Sequence, residues 1–407
     1  MQKIVLYGVG LEGEKFYCKF RNKFDFVYAV DKNCNRLFHG LPVYSFDEVK
    51  ENLKNYFVYV AVGSDSSWRE IQDTLKKIGL VEFKDFMSIE FADRELAILY
   101  GNCHMYHLMR YLQVNPVFHR KYVVRYYFKD IDLLEDNALK ECHLFITQDI
   151  RKNNELELPS AEEMINRLSM DYCVCIKVPN LFGVNLFFPQ LKRCEKEEMN
   201  YRHQLHLNEE AIDISKISKG GVERIKDLSA NTLMWIDVFL EHLYRNGGGI
   251  SEIKYAIENE DFFSKEQIIE NFDNELIKLK KRERECDIKI SDFIEKNYKK
   301  VQLFYEPFHP TNEIIFEKGR RILELLKMPI CEDCKVSDLL DGAEVFVYGC
   351  VRRALGLEYR QDYIRKSNLR GSYRFTLCNI PITLEEYIEE YIAWNIGEEN
   401  DGKGNTV

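Results

Sequence analysis

Leu96-Ala97-Ile98-Leu99-Tyr100-Gly101-Asn102-Cys103-His104 is an apolar run that stops abruptly at a Gly-Asn-Cys turn. Met105, Leu108, Met109, Tyr111 and Leu112 follow at helical spacing, so the stretch reads as strand, sharp turn and helix. A side chain at such a turn stands beyond the carboxyl end of a sheet, beside the amides that open a helix. Those amides favour a thiolate and can hold an oxyanion. Cys103 is therefore placed like a nucleophile, although most cysteines are core filler and the chain has 12 of them.

A partner for Cys103 comes about 200 residues later. Val301 to Tyr305 reads as a short strand and breaks into a loop with Glu306 and His309 at i and i+3, stiffened by Pro307 and Pro310. From Asn312 an amphipathic helix runs through Ile314, Ile315, Leu323 and Leu326. A carboxylate three residues ahead of a histidine can hold the imidazole in one tautomer, which is the orienting role in nucleophile-base chemistry.

Three segments carry a family resemblance: Leu99 to His104, Leu181-Phe182-Gly183-Val184-Asn185-Leu186-Phe187-Phe188-Pro189-Gln190, and Phe304 to Asn312. Together they resemble the WcbI-type polysaccharide biosynthesis family over roughly residues 95 to 360. The resemblance implies capsular or surface polysaccharide assembly, coenzyme A binding, and transfer of an acyl group, usually acetyl, to a sugar hydroxyl. His104 stands where that family more often has Gln. More distantly, Gly101-Asn102-Cys103 and Glu306-x-x-His309 resemble the SGNH hydrolase pattern, with thiol for hydroxyl and Glu for Asp.

The remaining sequence sets the frame. With 407 residues, 45% hydrophobic and 13% aromatic, the chain can bury a large core and is long enough for two or three domains. Its net charge of −10 argues against a nucleic-acid protein. No signal peptide or spanning run is visible, so a cytoplasmic location with reduced, scattered thiols is expected.

Residues 1 to 92 read as a Rossmann-like βαβ unit: Ile4 to Tyr7, the Gly8-Val9-Gly10-Leu11-Glu12-Gly13 turn, a helix, and Phe26 to Val30 ending in Asp31. Gly8, Gly10 and Gly13 would allow approach of a phosphate and Asp31 could bond a ribose, so a nucleotide or nucleotide-sugar is one expectation and a scaffold role the other.

Residues 93 to 395 read as a larger α/β, SGNH-like domain with a helical insert at about 208 to 298, and 396 to 407 as a disordered tail. Strands at 121 to 128, 142 to 151 and 173 to 179 put Gln148 at a strand's carboxyl end. Gln148 and Asn102 could each supply an oxyanion amide, or each could satisfy the backbone. Gly101 and His104 border the same turn. Phe182, Phe187 and Phe188 are candidates for a pocket wall, two of them at least for the core. Arg320 and Arg321 are candidates for coenzyme A phosphates. The charged run 278 to 284 reads as a solvated face. Neither Cys173-Val-Cys175 nor Cys331-x-x-Cys334 has a matching half, so no metal is expected there.

The resemblance and the three residues together imply an acyl-coenzyme A-dependent transferase with a sugar or polysaccharide precursor as acceptor. Cys103, His309 and Glu306 carry the chemistry, and a homo-oligomer is compatible with it. A thiol hydrolase and a non-catalytic coenzyme A or nucleotide-sugar binder are the alternatives.

Overall fold

Strand β1, Gln2–Tyr7, has Ile4, Val5 and Leu6 fully buried. Ile4 and Leu6 join one apolar cluster with Phe16 and Phe20 of helix α1, Leu11–Phe20, while Val5 joins another with Leu75 of a second helix and Phe86. Successive side chains enter opposite layers because a strand alternates its faces, which requires a sheet covered on both sides. The computed structural model describes residues 2–128, 134–150, 159–168, 172–181, 183–193, 235–307, 309–331, 344–365 and 381–395. Expectations for Phe182 and for the 396 to 407 tail lie outside the described residues.

The first sheet has six strands: β1, β2 (Phe24–Val30), β3 (Arg36–Phe38), β4 (Leu41–Tyr44), β5 (Phe57–Val60) and β6 (Phe86–Ser88). Their order is β3-β4-β2-β1-β5-β6, with β3 antiparallel to β4 and the other pairs parallel. Helices α1, α2 (Phe46–Val49) and α3 (Asp65–Lys77) connect them. The order reverses at β1, the switch point at which doubly wound sheets bind ligands. At that point Gly8 and Gly13 have packing reasons. A Cβ on Gly8 would lie 2.4 Å from the Ala61 carbonyl oxygen, and one on Gly13 would lie 2.2 Å from that of Gly8. Gly10 has open space around it. Asp31 accepts from the Val9 and Asn33 amides, each at 2.9 Å, so the carboxylate that could serve a ribose holds its own loop.

A second sheet runs in the order β10-β9-β7-β8, from β7 (Glu95–Gly101), β8 (Tyr122–Phe128), β9 (Cys142–Gln148) and β10 (Val174–Val178). β7 and β9 are parallel, with Leu99 beside Ile146 and Tyr100 beside Thr147. Leu96 to Tyr100 is buried on both faces, as its unbroken apolar run predicts. Here too the order reverses, between β7 and β9. Helices α4 (Cys103–Val114), α5 (Pro116–Lys121), α6 (Asp136–Lys140) and α7 (Ala161–Ile165) follow these strands. The α/β class with parallel sheets is thus as expected.

The chain divides into two compact units, Met1–Tyr100, Asn115–Thr147 and Arg151–Ile176 in one, Gly101–Val114, Gln148–Ile150 and Lys177–Val407 in the other. The second is largely helical: α8 (Val238–Arg245), α9 (Ile250–Asn259), α10 (Lys265–Arg282), α11 (Ser291–Asn297), α12 (Asn312–Leu325), α13 (Gly349–Leu355) and α14 (Leu384–Asn395). α10 begins at a Ser264/Gln267 capping box and buries Ile268, Phe272, Leu276 and Leu279, the stripe its sequence predicts. Within the expected helical insert, α8 to α11 lie between 238 and 297 with turns between them, Trp235–Asp237 is a short strand, and 208–234 fall outside the described residues. Lys278 and Lys280 pair with Glu275 and Glu295 on an exposed face. Phe187 and Phe188 are within the core of this unit, at 1% and 0% exposure, rather than on a pocket wall. One expectation fails: Cys331 is disulfide-bonded, so the thiols are not all reduced. Redox state is not encoded in cysteine spacing.

Candidate active site

The second unit gathers Gly101 to Val114, Gln148 and the 304 to 325 segment. β7 ends at Gly101 and α4 begins at Cys103, so the thiol is the first residue of a helix. Gly101 is required by close approach. A Cβ there would lie 2.5 Å from both Gln148 Oε1 and Met105 Cγ. Gly101→Ala is therefore expected to cost about 1–3 kcal/mol, by the overpacking rule, and to lower the urea midpoint. An unchanged midpoint would contradict the close packing.

Every amide of the turn but one is occupied. Asn102 N–H donates to Gln148 Oε1 at 2.8 Å, His104 N–H donates to Asn102 Oδ1 at 3.0 Å, and Met105 N–H donates to Asn102 O at 2.9 Å. Asn102 thus caps α4, and Gln148, fully buried at the end of β9, anchors the turn. Both amide side chains use their oxygens structurally. The Cys103 N–H is the turn's remaining donor.

The histidine loop is a small antiparallel pair, β11 (Phe304–Glu306) and β12 (His309–Pro310), from which α12 departs. It sets His309 Nε2 3.9 Å from Cys103 Sγ and His309 Nδ1 2.6 Å from Glu306 Oε1. The Glu306 side chain is 5% exposed and that of His309 29%. Burial is the largest influence on the ring and acts to lower its pKa. The Glu306 carboxylate and the neighbouring Cys103 override it, raising the value to about 10. At neutral pH the ring is an imidazolium, and a cation beside sulfur stabilises a thiolate. Sulfur, ring and carboxylate form the expected line of three.

Of the other expected residues, His104 is 1% exposed with its ring 6.2 Å from that of His309. Arg320 and Arg321 are committed to carboxylates. Arg320 pairs with Glu317 and Glu324, and Arg321 with Glu317 and with Asp292 at 2.8 Å. Gly8, Gly10, Gly13 and Asp31 belong to the other unit.

Two residues escaped the sequence reading. His107 is 6% exposed, and burial, with lesser effects from Arg110 and His309, pushes its pKa down to about 4, so it is neutral where His309 is charged. Its signal was its position four residues after Cys103, the same face of α4. Lys318, 2% exposed, donates from Nζ to Pro179 O at 2.9 Å. Burial lowers its pKa to about 7. It falls on the apolar stripe of α12 between Ile314, Ile315 and Ile322. Gly319 beside it meets the Tyr111 ring, which brings α12 against α4.

Comparisons with known proteins bear on the family and the fold. The family described as polysaccharide biosynthesis enzyme WcbI matches residues 221–330, which include Glu306 and His309. A solved structure of WcbI, described as a novel polysaccharide biosynthesis enzyme, is similar in fold. It has a TM-score of 0.51 and 15% identity, over 74% of this chain and 90% of that one. It is described as the native protein without a disulfide bond between coenzyme A and a cysteine. No curated protein matches. The WcbI-type resemblance read from three short segments therefore holds, carried in sequence by residues 221–330 and in fold by the wider chain.

Proposed function

We propose that the protein is an enzyme of polysaccharide biosynthesis that moves an acyl group, acetyl in the simplest case, from acyl-coenzyme A to a sugar hydroxyl. The observation that carries this reading is the line Cys103, His309, Glu306, at 3.9 and 2.6 Å, at the carboxyl end of β7. Coenzyme A supplies an activated thioester when bound, and the description of the solved WcbI structure names the same molecule in relation to a cysteine.

Cys103 attacks the thioester carbonyl as a thiolate, its proton held on His309. The carbonyl oxygen, while negative, accepts from the Cys103 N–H at the start of α4. The carbon–sulfur bond to coenzyme A breaks and its thiol leaves with the proton from His309 Nε2. The ring, now neutral, takes the proton of the incoming sugar hydroxyl as that oxygen attacks the acyl-cysteine, and Cys103 is released as thiolate. Glu306 keeps Nδ1 protonated throughout, so Nε2 is always the nitrogen that faces sulfur. His107 supplies a second, uncharged imidazole on the same helix face.

Calorimetric titration with coenzyme A, paired with mass spectrometry after mixing with acetyl-coenzyme A, tests this. Micromolar binding and one acetyl group on the Cys103 peptide, absent in Cys103→Ala, are the expected results. Absence of both binding and adduct would overturn the reading. An adduct that discharges to water as fast as to any sugar would replace transfer by hydrolysis.

A further inference from the structure

Helix α1 presents Glu14 and Cys18 at i and i+4, hence on one face. Opposite them stands His39, at the tip of the β3–β4 hairpin with Gly40. Their φ values of 51° and 85° place both residues in the left-handed region, as a two-residue hairpin turn of this hand demands. His39 is an unusual residue to hold there, and its ring is fixed twice over. Tyr17 stacks on it at 4.6 Å and 14° between planes, and Nε2 lies 2.6 Å from Glu14 Oε1. Cys18 Sγ is 3.5 Å from the same carboxylate oxygen. One nitrogen, one sulfur and one carboxylate oxygen all lie within 4.8 Å of one another. Among the described residues no other such group of three occurs.

We propose that Glu14, Cys18 and His39 form a binding site for a zinc-type divalent transition cation, with a fourth position open to solvent or to an exogenous ligand. Zinc bonds of about 2.0–2.3 Å to N, O and S in tetrahedral array separate the donors by roughly 3.5 Å. The sulfur is already at that distance from the carboxylate, and the imidazole needs to withdraw by about 1 Å, a side-chain adjustment. The donor set selects against calcium and magnesium, which take oxygen ligands, and suits a borderline-soft ion. An ion pair alone gives no reason for the thiol, and a surface pair adds little stability.

On binding, the hydrogen between His39 Nε2 and Glu14 and the proton of the Cys18 thiol both pass to solvent and the cation takes their place, so affinity rises with pH. Bound, the ion would tie α1 to the hairpin. All three donors sit at the surface, so it can enter the folded protein.

Cobalt(II), added to the full-length protein at neutral pH with a non-thiol reductant, reports thiolate ligation by a near-ultraviolet charge-transfer band. Zinc calorimetry gives stoichiometry. One site is expected, with the band present in wild type and in Cys103→Ala, and lost in Cys18→Ser. His39→Asn, which tolerates the left-handed turn, should weaken zinc by at least about 100-fold, the upper end of what even outer-shell changes cost. The metal-free thermal midpoint of Cys18→Ser should equal that of wild type, and zinc should raise the midpoint of wild type but of neither variant. No band in wild type, or a band that survives Cys18→Ser, would overturn the proposal.

Discussion

His309→Asn is expected to slow acyl transfer by about 10²–10⁴-fold, the usual worth of a positioned acid or base. The fold should survive, because the ring is 29% exposed and Asn keeps a polar group at the rim. Cys103→Ala should be at least as severe, and the double variant no worse than the single, since groups acting as one unit are not additive. Glu306→Gln is the more telling change. In the native protein the carboxylate and Cys103 together outweigh burial and hold the ring at about 10. With an amide in place of the carboxylate only Cys103 is left to oppose burial, the largest single influence, so the pKa falls. The limb of the pH–rate profile that reports imidazolium should therefore move toward acid, and turnover at neutral pH should fall. A profile unmoved in Glu306→Gln would show that the carboxylate does not govern His309.

The second large effect concerns stability. Burial lowers the Lys318 pKa from the ordinary 10.5 to about 7 in the folded protein. Between those values the unfolded state holds one more proton, so this lysine makes stability rise with pH, and its destabilising effect is greatest below 7. The raised His309 does not offset it, because in the proposed ion pair the proton on the ring is the one that left Cys103, and the pair holds as many protons folded as unfolded. The slope is about 1.4 kcal/mol per pH unit, so wild type should gain about 3 kcal/mol from roughly pH 7 to 9. Lys318→Met should remove that rise. Urea midpoints of the two proteins across this range check it, and parallel profiles would refute the lowered lysine value.

Much of this site was legible because its logic is local. An apolar run closed by Gly-Asn-Cys can hardly be anything but a buried strand meeting a helix, and Glu306 three residues before His309 in a Pro-bounded loop needed only the loop to be tight. Gln148 was placed at its strand end, yet its task was invisible. It serves Asn102 only because β9 lies beside β7, a pairing between strands that are not consecutive. Arg320 and Arg321 looked available for phosphate. Glu317, three and four residues before them, was in plain view, but Asp292 is brought by tertiary structure. His107 and Lys318 were passed over for the same reason, since burial, not residue type, makes them unusual. The grouping of Glu14, Cys18 and His39 is hidden in the same way, since His39 is 21 and 25 residues from the other two and meets them through the sheet.

The two proposed catalytic partners, Cys103 and His309, are separated by 206 residues. At ribosomal rates of about 5–20 residues per second, the Cys103 sulfur waits on the order of 10–40 s before its histidine has even been made. Throughout that interval the segment 101–114 has no second unit to join, because that unit is assembled from pieces at 101, 148 and 177 onward. The nascent thiol thus has neither its proton acceptor nor its electrostatic partner, and Cys103, as the proposed nucleophile, acquires them only once synthesis has passed residue 309, not by local folding.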